Sequence, residues 1–109
     1  NDEQLSAIFF ALSDGKRRRM LAALAESPQG VGALADCAGM RISAASKNIG
    51  VLEDAGLLFK TRQGREMICH MNYDIWQQVA GYVAMHAQFW AGRLNELERY
   101  LDQVDQDEQ

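Results

Sequence analysis

The chain has 109 residues, 48% of them apolar, with 11 Lys or Arg against 15 Asp or Glu for a formal charge of −4 at pH 7. A chain of this length is expected to form one domain over 1–109 that buries roughly 65% of its unfolded surface, which excludes a two-domain enzyme. The ordinary apolar and charged fractions exclude a disordered chain, the short apolar runs exclude a membrane span, and two cysteines exclude a disulfide scaffold. The opening residues are acidic and lack the basic stretch of a signal peptide, so a reducing, cytoplasmic setting is expected.

Charge is unevenly spread. Between Asp14 and Asn72 nine basic residues face six acidic ones, whereas the remainder carries two basic against nine acidic. A basic middle flanked by acidic ends points to an anionic partner for the middle.

In chain order, Leu5, Ile8, Phe9 and Leu12 recur at helical spacing and predict a short first helix. Ser13-Asp14 supplies a cap for a second helix, with Met20, Leu21, Leu24 and Ala25 on its inner face. Lys16 to Arg19 crowd its first turns, where the helix dipole prefers anions; they are either a solvated surface or contacts to an external anion. Ser27-Pro28-Gln29-Gly30 reads as a turn. Val31, Leu34 and Ala35 mark a third helix ending at Gly39, and Ser43 is placed as N-cap of a fourth that carries Ala44, Ala45, Ile49 and Leu52. Two helices joined by a short glycine-containing turn make a helix-turn-helix over about 31–55. Residues 57–62 and 66–71 are strand-like and flank Gln63-Gly64-Arg65, a hairpin with a basic residue on each side of its tip. The fold class is therefore mostly α with a small β-hairpin wing over about 57–72. The order is four helices, two strands and a long final helix.

That final helix is expected over about 74–104. Trp76, Ala80, Val83, Ala87, Trp90, Leu94, Leu97, Leu101 and Val104 alternate steps of four and three, a heptad seam. A second stripe of Ile75, Val79, Tyr82 and Phe89 runs through the first half only. A helix of about 30 residues is roughly 45 Å long, more than the domain needs. Its apolar face is expected to bury in a homodimer through Trp76, Val83, Ala87, Trp90, Leu94, Leu97 and Leu101, together with Leu5, Ile8 and Phe9 of the first helix. The acidic end, 105–109, is expected to fray.

This order of elements resembles the arsenic-resistance-regulator (ArsR/SmtB) family of bacterial repressors. Asp14-Gly15-Lys16-Arg17-Arg18-Arg19-Met20-Leu21 is similar to the family's Asp-x-x-Arg-x-x-Ile-Leu. Ser43 to Leu58, which reads SAASKNIGVLEDAGLL, resembles its recognition-helix signature, with Asn48 in place of the common histidine. Gln63-Gly64-Arg65 matches the wing tip, and Phe89-Trp90-x-x-Arg93-Leu94-x-x-Leu97 is similar to one branch's last helix. The resemblance implies a homodimer that binds imperfect inverted repeats in double-stranded DNA and leaves them when an inducer binds. It also implies that Ser43, Ala44, Ser46, Lys47 and Asn48 occupy the major-groove face.

Side-chain chemistry agrees in part. Ser43 and Ser46 can touch phosphate or a base edge, Lys47 can reach guanine acceptors, and Asn48 can pair bidentately with adenine. Lys16, Arg17 and Arg41 suit backbone phosphates, and Arg62 and Arg65 suit an adjacent minor groove. An alternative makes Arg17 or Arg18 structural, bridged to an acid such as Asp54.

The ligand sets of metal-sensing relatives do not appear. Gly30 to Leu34 stands where the Cys-x-Cys-Asp-Leu run would be. Trp76 and Ala87 stand where the histidines of the last-helix zinc site would be. No metal site and no cofactor are expected. Cys69 and His70 alternate to opposite faces of the hairpin, and His86 reads as a packed histidine. Trp76, Tyr82, Met85, Phe89 and Trp90 form either dimer core or a pocket for an unidentified small-molecule inducer. Lacking a phosphate loop, paired carboxylates or a nucleophile set, the chain reads as a regulator and not an enzyme. Two other readings stay open: a protein-interaction module that has lost DNA binding, and a thiol-responsive repressor using Cys37 and Cys69.

Overall fold

Apolar residues at helical spacing decide where this chain buries itself. A computed structural model describes residues 1–107, in the order α1 (Asp2–Leu12), α2 (Gly15–Glu26), β1 (Gln29–Gly30), α3 (Val31–Ala38), α4 (Ile42–Asp54), β2 (Leu58–Gln63), β3 (Glu66–Met71) and α5 (Tyr73–Asp107). The fold is mostly α with an antiparallel hairpin, the winged helix-turn-helix arrangement. By its internal contacts the chain divides into two compact units, Asn1–Trp76 and the residues from Gln77 onward.

In the first unit α2 buries Arg17, Met20, Leu21 and Leu24, the i, i+3, i+4, i+7 stripe of an amphipathic helix. Ala25, expected on that face, is exposed. At 100° per residue it lies about 140° around the helix from Met20, and Arg17 takes the inner position one turn earlier. Leu34, Ala35 and Ala38 of α3 meet Ala45, Ile49 and Leu52 of α4 in the same core. The alanines let the helices approach closely, and Leu57, Leu58 and Cys69 close the core from the sheet side.

Helix ends follow local capping. The first helix starts three residues before the expected Leu5, because Asn1 Oδ1 accepts from the Gln4 amide at 2.8 Å and Asp2 and Glu3 favour the dipole. Asp14 Oδ1 caps α2 through the Lys16 amide at 2.8 Å. At the end of α3, Gly39 adopts φ +66° and the Met40 amide reaches back to Ala35 O at 2.9 Å, a Schellman closure that requires the left-handed region. Three residues, Gly39 to Arg41, then separate the two helices of the helix-turn-helix. Ser43 is not the cap of α4: Arg41 is the extended residue, and its carbonyl takes the first helical bond from the Ala45 amide at 2.9 Å.

The sheet has three strands in the order β1-β3-β2, all antiparallel. Its third strand lies where a turn was expected: Gln29 pairs with Cys69 and Gly30 with Ile68. A two-residue strand carries no periodicity, so only the neighbouring β3 reveals it. In the hairpin Gln63 pairs with Glu66, which leaves a two-residue turn, Gly64-Arg65, one residue shorter than expected.

The second unit is the remainder of α5. Residues 81–103 are all exposed in the single chain. The helix runs through 105–107, where fraying was expected, because no glycine or proline after Gly92 interrupts it. The rest of that expectation, 108 and 109, lies outside the described residues. Among the described residues no helix is long and apolar enough to cross a membrane.

Because Leu24 is 2% exposed in the centre of α2, Leu24→Ala should destabilise the protein by about 2–5 kcal/mol. Urea unfolding followed by circular dichroism would show the midpoint falling at constant slope.

Candidate nucleic-acid interface

The helix α4 turns Ala45, Ile49 and Leu52 inward. The opposite side therefore carries Ser43, Ser46 and Lys47, all exposed, with Ala44 half-buried beside them. The first turn of α4, after the exposed Arg41, has no side-chain cap hydrogen bond. Hydroxyls and one lysine on a single helical face can meet phosphate and base edges together.

The wing is stiffened at its base and open at its tip. Phe59 stacks on His70 with centroids 4.9 Å apart, and Thr61 Oγ1 lies 2.7 Å from His70 Nε2. Lys60 Nζ lies 3.3 Å from Glu53 Oε1, which ties β2 to α4. Beyond these ties Arg62 and Arg65 are exposed, and Arg62 Nε donates to Gly64 O at 3.3 Å across the turn.

Two expected DNA-contacting residues are engaged in hydrogen bonds within the fold. Arg17, expected at phosphate, is 8% exposed. Its Nε donates to Ala11 O at 2.7 Å, one terminal nitrogen to Phe10 O at 3.0 Å and the other to Asn48 Oδ1 at 3.0 Å. Its acidic neighbour is Asp14, at 3.6 Å, and not the expected Asp54. The reason is electrostatic: α1 ends without a basic residue in its last turn, and a buried guanidinium satisfies the carbonyls left there. Asn48, expected to read adenine, is held at both ends of its amide. Its Oδ1 accepts from Arg17, and its Nδ2 donates to Ala44 O at 2.9 Å. Of the other cations on α2, Lys16 and Arg19 are exposed, while Arg18 donates to Leu12 O at 2.7 Å.

On the expected dimer face, Val83, Trp90, Leu94, Leu97 and Leu101 are 50–61% exposed, and Ala87 is exposed as well. Phe9 is 44% exposed and Leu5 half-buried. Ile8, expected on the dimer face, is 3% exposed and belongs to the core of the single chain. The α1 stripe through Ile8 and Ala11 points inward. Sequence reading missed Phe10, 64% exposed, whose ring lies under the Arg17 guanidinium at 5.3 Å. Two adjacent phenylalanines where a helix needs only one on its inner face were the available signal. Half-buried Trp76 lines an apolar concavity of about 490 Å³ with Leu12, Leu21, Ala22 and Tyr73.

Among the described residues no three His, Cys, Asp or Glu side chains come together as a metal site. Cys37 is exposed on α3, whereas Cys69 is buried in β3. Burial pushes the Cys69 thiol pKa up, with Lys60 opposing and Glu53 adding to the shift.

Comparison with known proteins follows this geometry. The helix-turn-helix domain family matches residues 12–58. The crystal structure of an ArsR family transcriptional regulator is 33% identical, with 83% of this chain and 93% of that one covered and a TM-score of 0.74. An ArsR-like transcriptional regulator from Rhodococcus sp. RHA1 is 25% identical over 89% of this chain and 92% of its own, also at a TM-score of 0.74. The homodimeric winged helix-turn-helix DNA-binding domain of a Mycobacterium bovis protein is 27% identical, covering 77% of this chain and 84% of that one at a TM-score of 0.62. No curated protein sequence matches the chain. With its helix-turn-helix, its wing and a relative one-third identical over most of both chains, this protein belongs to the ArsR family of transcriptional regulators, which are not enzymes.

Proposed function

We propose that this chain is a homodimeric repressor that binds an inverted-repeat operator in double-stranded DNA. The observation that carries the reading is the outer face of α4, where Ser43, Ser46 and Lys47 are exposed between the α3–α4 turn and a basic wing tip. In this reading α4 lies in the major groove with Ser43, Ala44, Ser46 and Lys47 toward the bases. Arg41 and Lys16 meet phosphates, and Arg62 and Arg65 enter the flanking minor groove. A net charge of −4 does not oppose this, because the acids concentrate outside the segment that holds these cations.

A second copy is the natural cover for the α5 face. Leu94, Leu97 and Leu101 continue the heptad seam in the open, and adjacent half-sites one helical turn apart need two such domains. The M. bovis relative is homodimeric, which supports the same assembly here. Inverted repeats follow from the two-fold symmetry of such a pair.

The experiment is fluorescence anisotropy with inverted-repeat duplexes selected from a random pool, across a salt series. Wild type should enrich a two-fold site, and log affinity should fall linearly with log salt. Lys47→Ala should cost about 1–3 kcal/mol, and Arg41→Ala should lower the salt slope by about one phosphate contact. Enrichment of no site, with only weak binding lost at moderate salt, would sink the repressor in favour of a protein-interaction module.

Sedimentation tests the assembly. Leu94→Glu with Leu97→Glu should convert a dimer to a folded monomer, since both side chains are already exposed in the single chain. A dimer unaffected by both changes would remove α5 from the interface.

The buried thiol and the exposed one should also separate by reactivity. Near neutral pH a thiol reagent should label Cys37 in the native protein and Cys69 only on unfolding. A pKa raised by burial keeps Cys69 protonated to higher pH, and only the thiolate reacts. Rapid native labelling of both would restore the thiol-switch reading.

A further inference from the structure

Among the hydrogen bonds described above, one guanidinium ties α4 to the α1–α2 pair, which Arg18 also joins through Leu12 O. Arg17 starts from α2, takes the terminal carbonyls Phe10 O and Ala11 O of α1, and donates to Asn48 Oδ1 in the middle of α4. Arginine has only donors, so the oxygen of the Asn48 amide must face it. The amide nitrogen then points along α4 to Ala44 O. Nδ2 also donates to Met40 Sδ at 3.9 Å, so both of its hydrogens are engaged within the fold and none is left to pair bidentately with an adenine edge.

We propose that Arg17 and Asn48 are a positioning pair. They fix the rotation of α4 against α1, so that Asn48 sets DNA affinity through the orientation of its helix and not by reading a base. The proposal rests on the DNA-binding reading above. Lys47 immediately precedes Asn48, so a rotation of α4 that releases the Arg17 bond also turns the lysine and both serines away from their register. Asn48 is half-buried and Arg17 is 8% exposed, so the bond is shielded from water and is charge-assisted. Arg17 also packs over the exposed Phe10 ring of α1, so whatever displaces α1 acts on the same guanidinium.

The test uses the full chain with Asn48→Ala, Arg17→Lys and the double variant. Affinity is measured on the selected duplex and on a panel with each base pair changed in turn, alongside thermal unfolding and native hydrogen exchange. Asn48→Ala keeps a good helix former and leaves Arg17 its α1 carbonyls. Lysine keeps the charge of Arg17 but cannot fork to both helices. Each single variant should bind about tenfold more weakly on every duplex, as expected for one charge-assisted hydrogen bond. Base preferences should stay unchanged, and the double variant should be little worse than the weaker single. Amides of α4 should exchange faster in both single variants while those of α3 keep their protection.

A preference lost at one base pair in Asn48→Ala would make Asn48 a base reader and overturn the pair. A lower melting temperature with undiminished affinity would leave it a purely structural bond. Hydrogen exchange separates this failure from that of the wider reading. Unchanged α4 protection refutes the pair whether or not DNA binds, whereas wild type without any operator refutes the repressor.

Discussion

The arrangement turns on a buried positive charge. The first helix ends against α2 with its last carbonyls turned into the protein, and no residue of its own supplies a donor for them beyond the Ser13 cap. Arg17 reaches in from α2 and takes two of these carbonyls, with Asp14 at 3.6 Å to balance its charge. Leaving the buried Ala11 O unpaired would cost about 1–3 kcal/mol, whereas Phe10 O also accepts from Ser13. The same guanidinium fixes Asn48, and through it the setting of α4, so the polar centre and the presented helix face are one network.

Around that centre the apolar core combines alanines with larger aliphatic side chains. Ala35, Ala38 and Ala45 lie between Leu34, Ile49 and Leu52, so α3 and α4 pack closely and their turn can be as short as Gly39 to Arg41. Close packing leaves no room for polar groups within. Ser43, Ser46 and Lys47 must therefore stand outside, on the face opposite the alanines. The wing follows the same logic: His70 is held by Phe59 and Thr61 at the base, and the arginines remain at the tip.

The long helix is organised differently. Tyr82 and His86 pack ring to ring at 4.6 Å, Phe89 meets Trp90 edge-on at 5.8 Å, and Arg93 sits over Phe89 at 5.0 Å. These local contacts order side chains along one helix without removing them from water. A continuous row of large apolar groups that stays exposed is unstable in solution as an isolated surface. That is the physical ground for proposing a second copy as its cover.

Periodicity was legible because it is a property of neighbours in sequence. The stripes through Leu21, Leu24, Leu34 and Leu52, the glycine stop at Gly39, the hairpin and the heptads of α5 all follow from spacing and residue type. So does the polarity between a basic middle and acidic ends. What spacing could not decide is which polar groups meet across elements. Arg17 and Asn48 carry the side chains of DNA-contacting residues, and 31 positions separate them. Only the packing of α1, α2 and α4 brings the guanidinium to the carbonyls and the amide. Burial there makes internal hydrogen bonds worth more than exposure to an external partner. The strand at Gln29–Gly30 and the inward turn of Ile8 were decided in the same way, by neighbours distant in the chain. The sequence by itself determined the five helices, the hairpin and the charge pattern; the tertiary structure decided the third strand and which cations stay exposed, because the partners that bury a side chain come from elements distant in the chain.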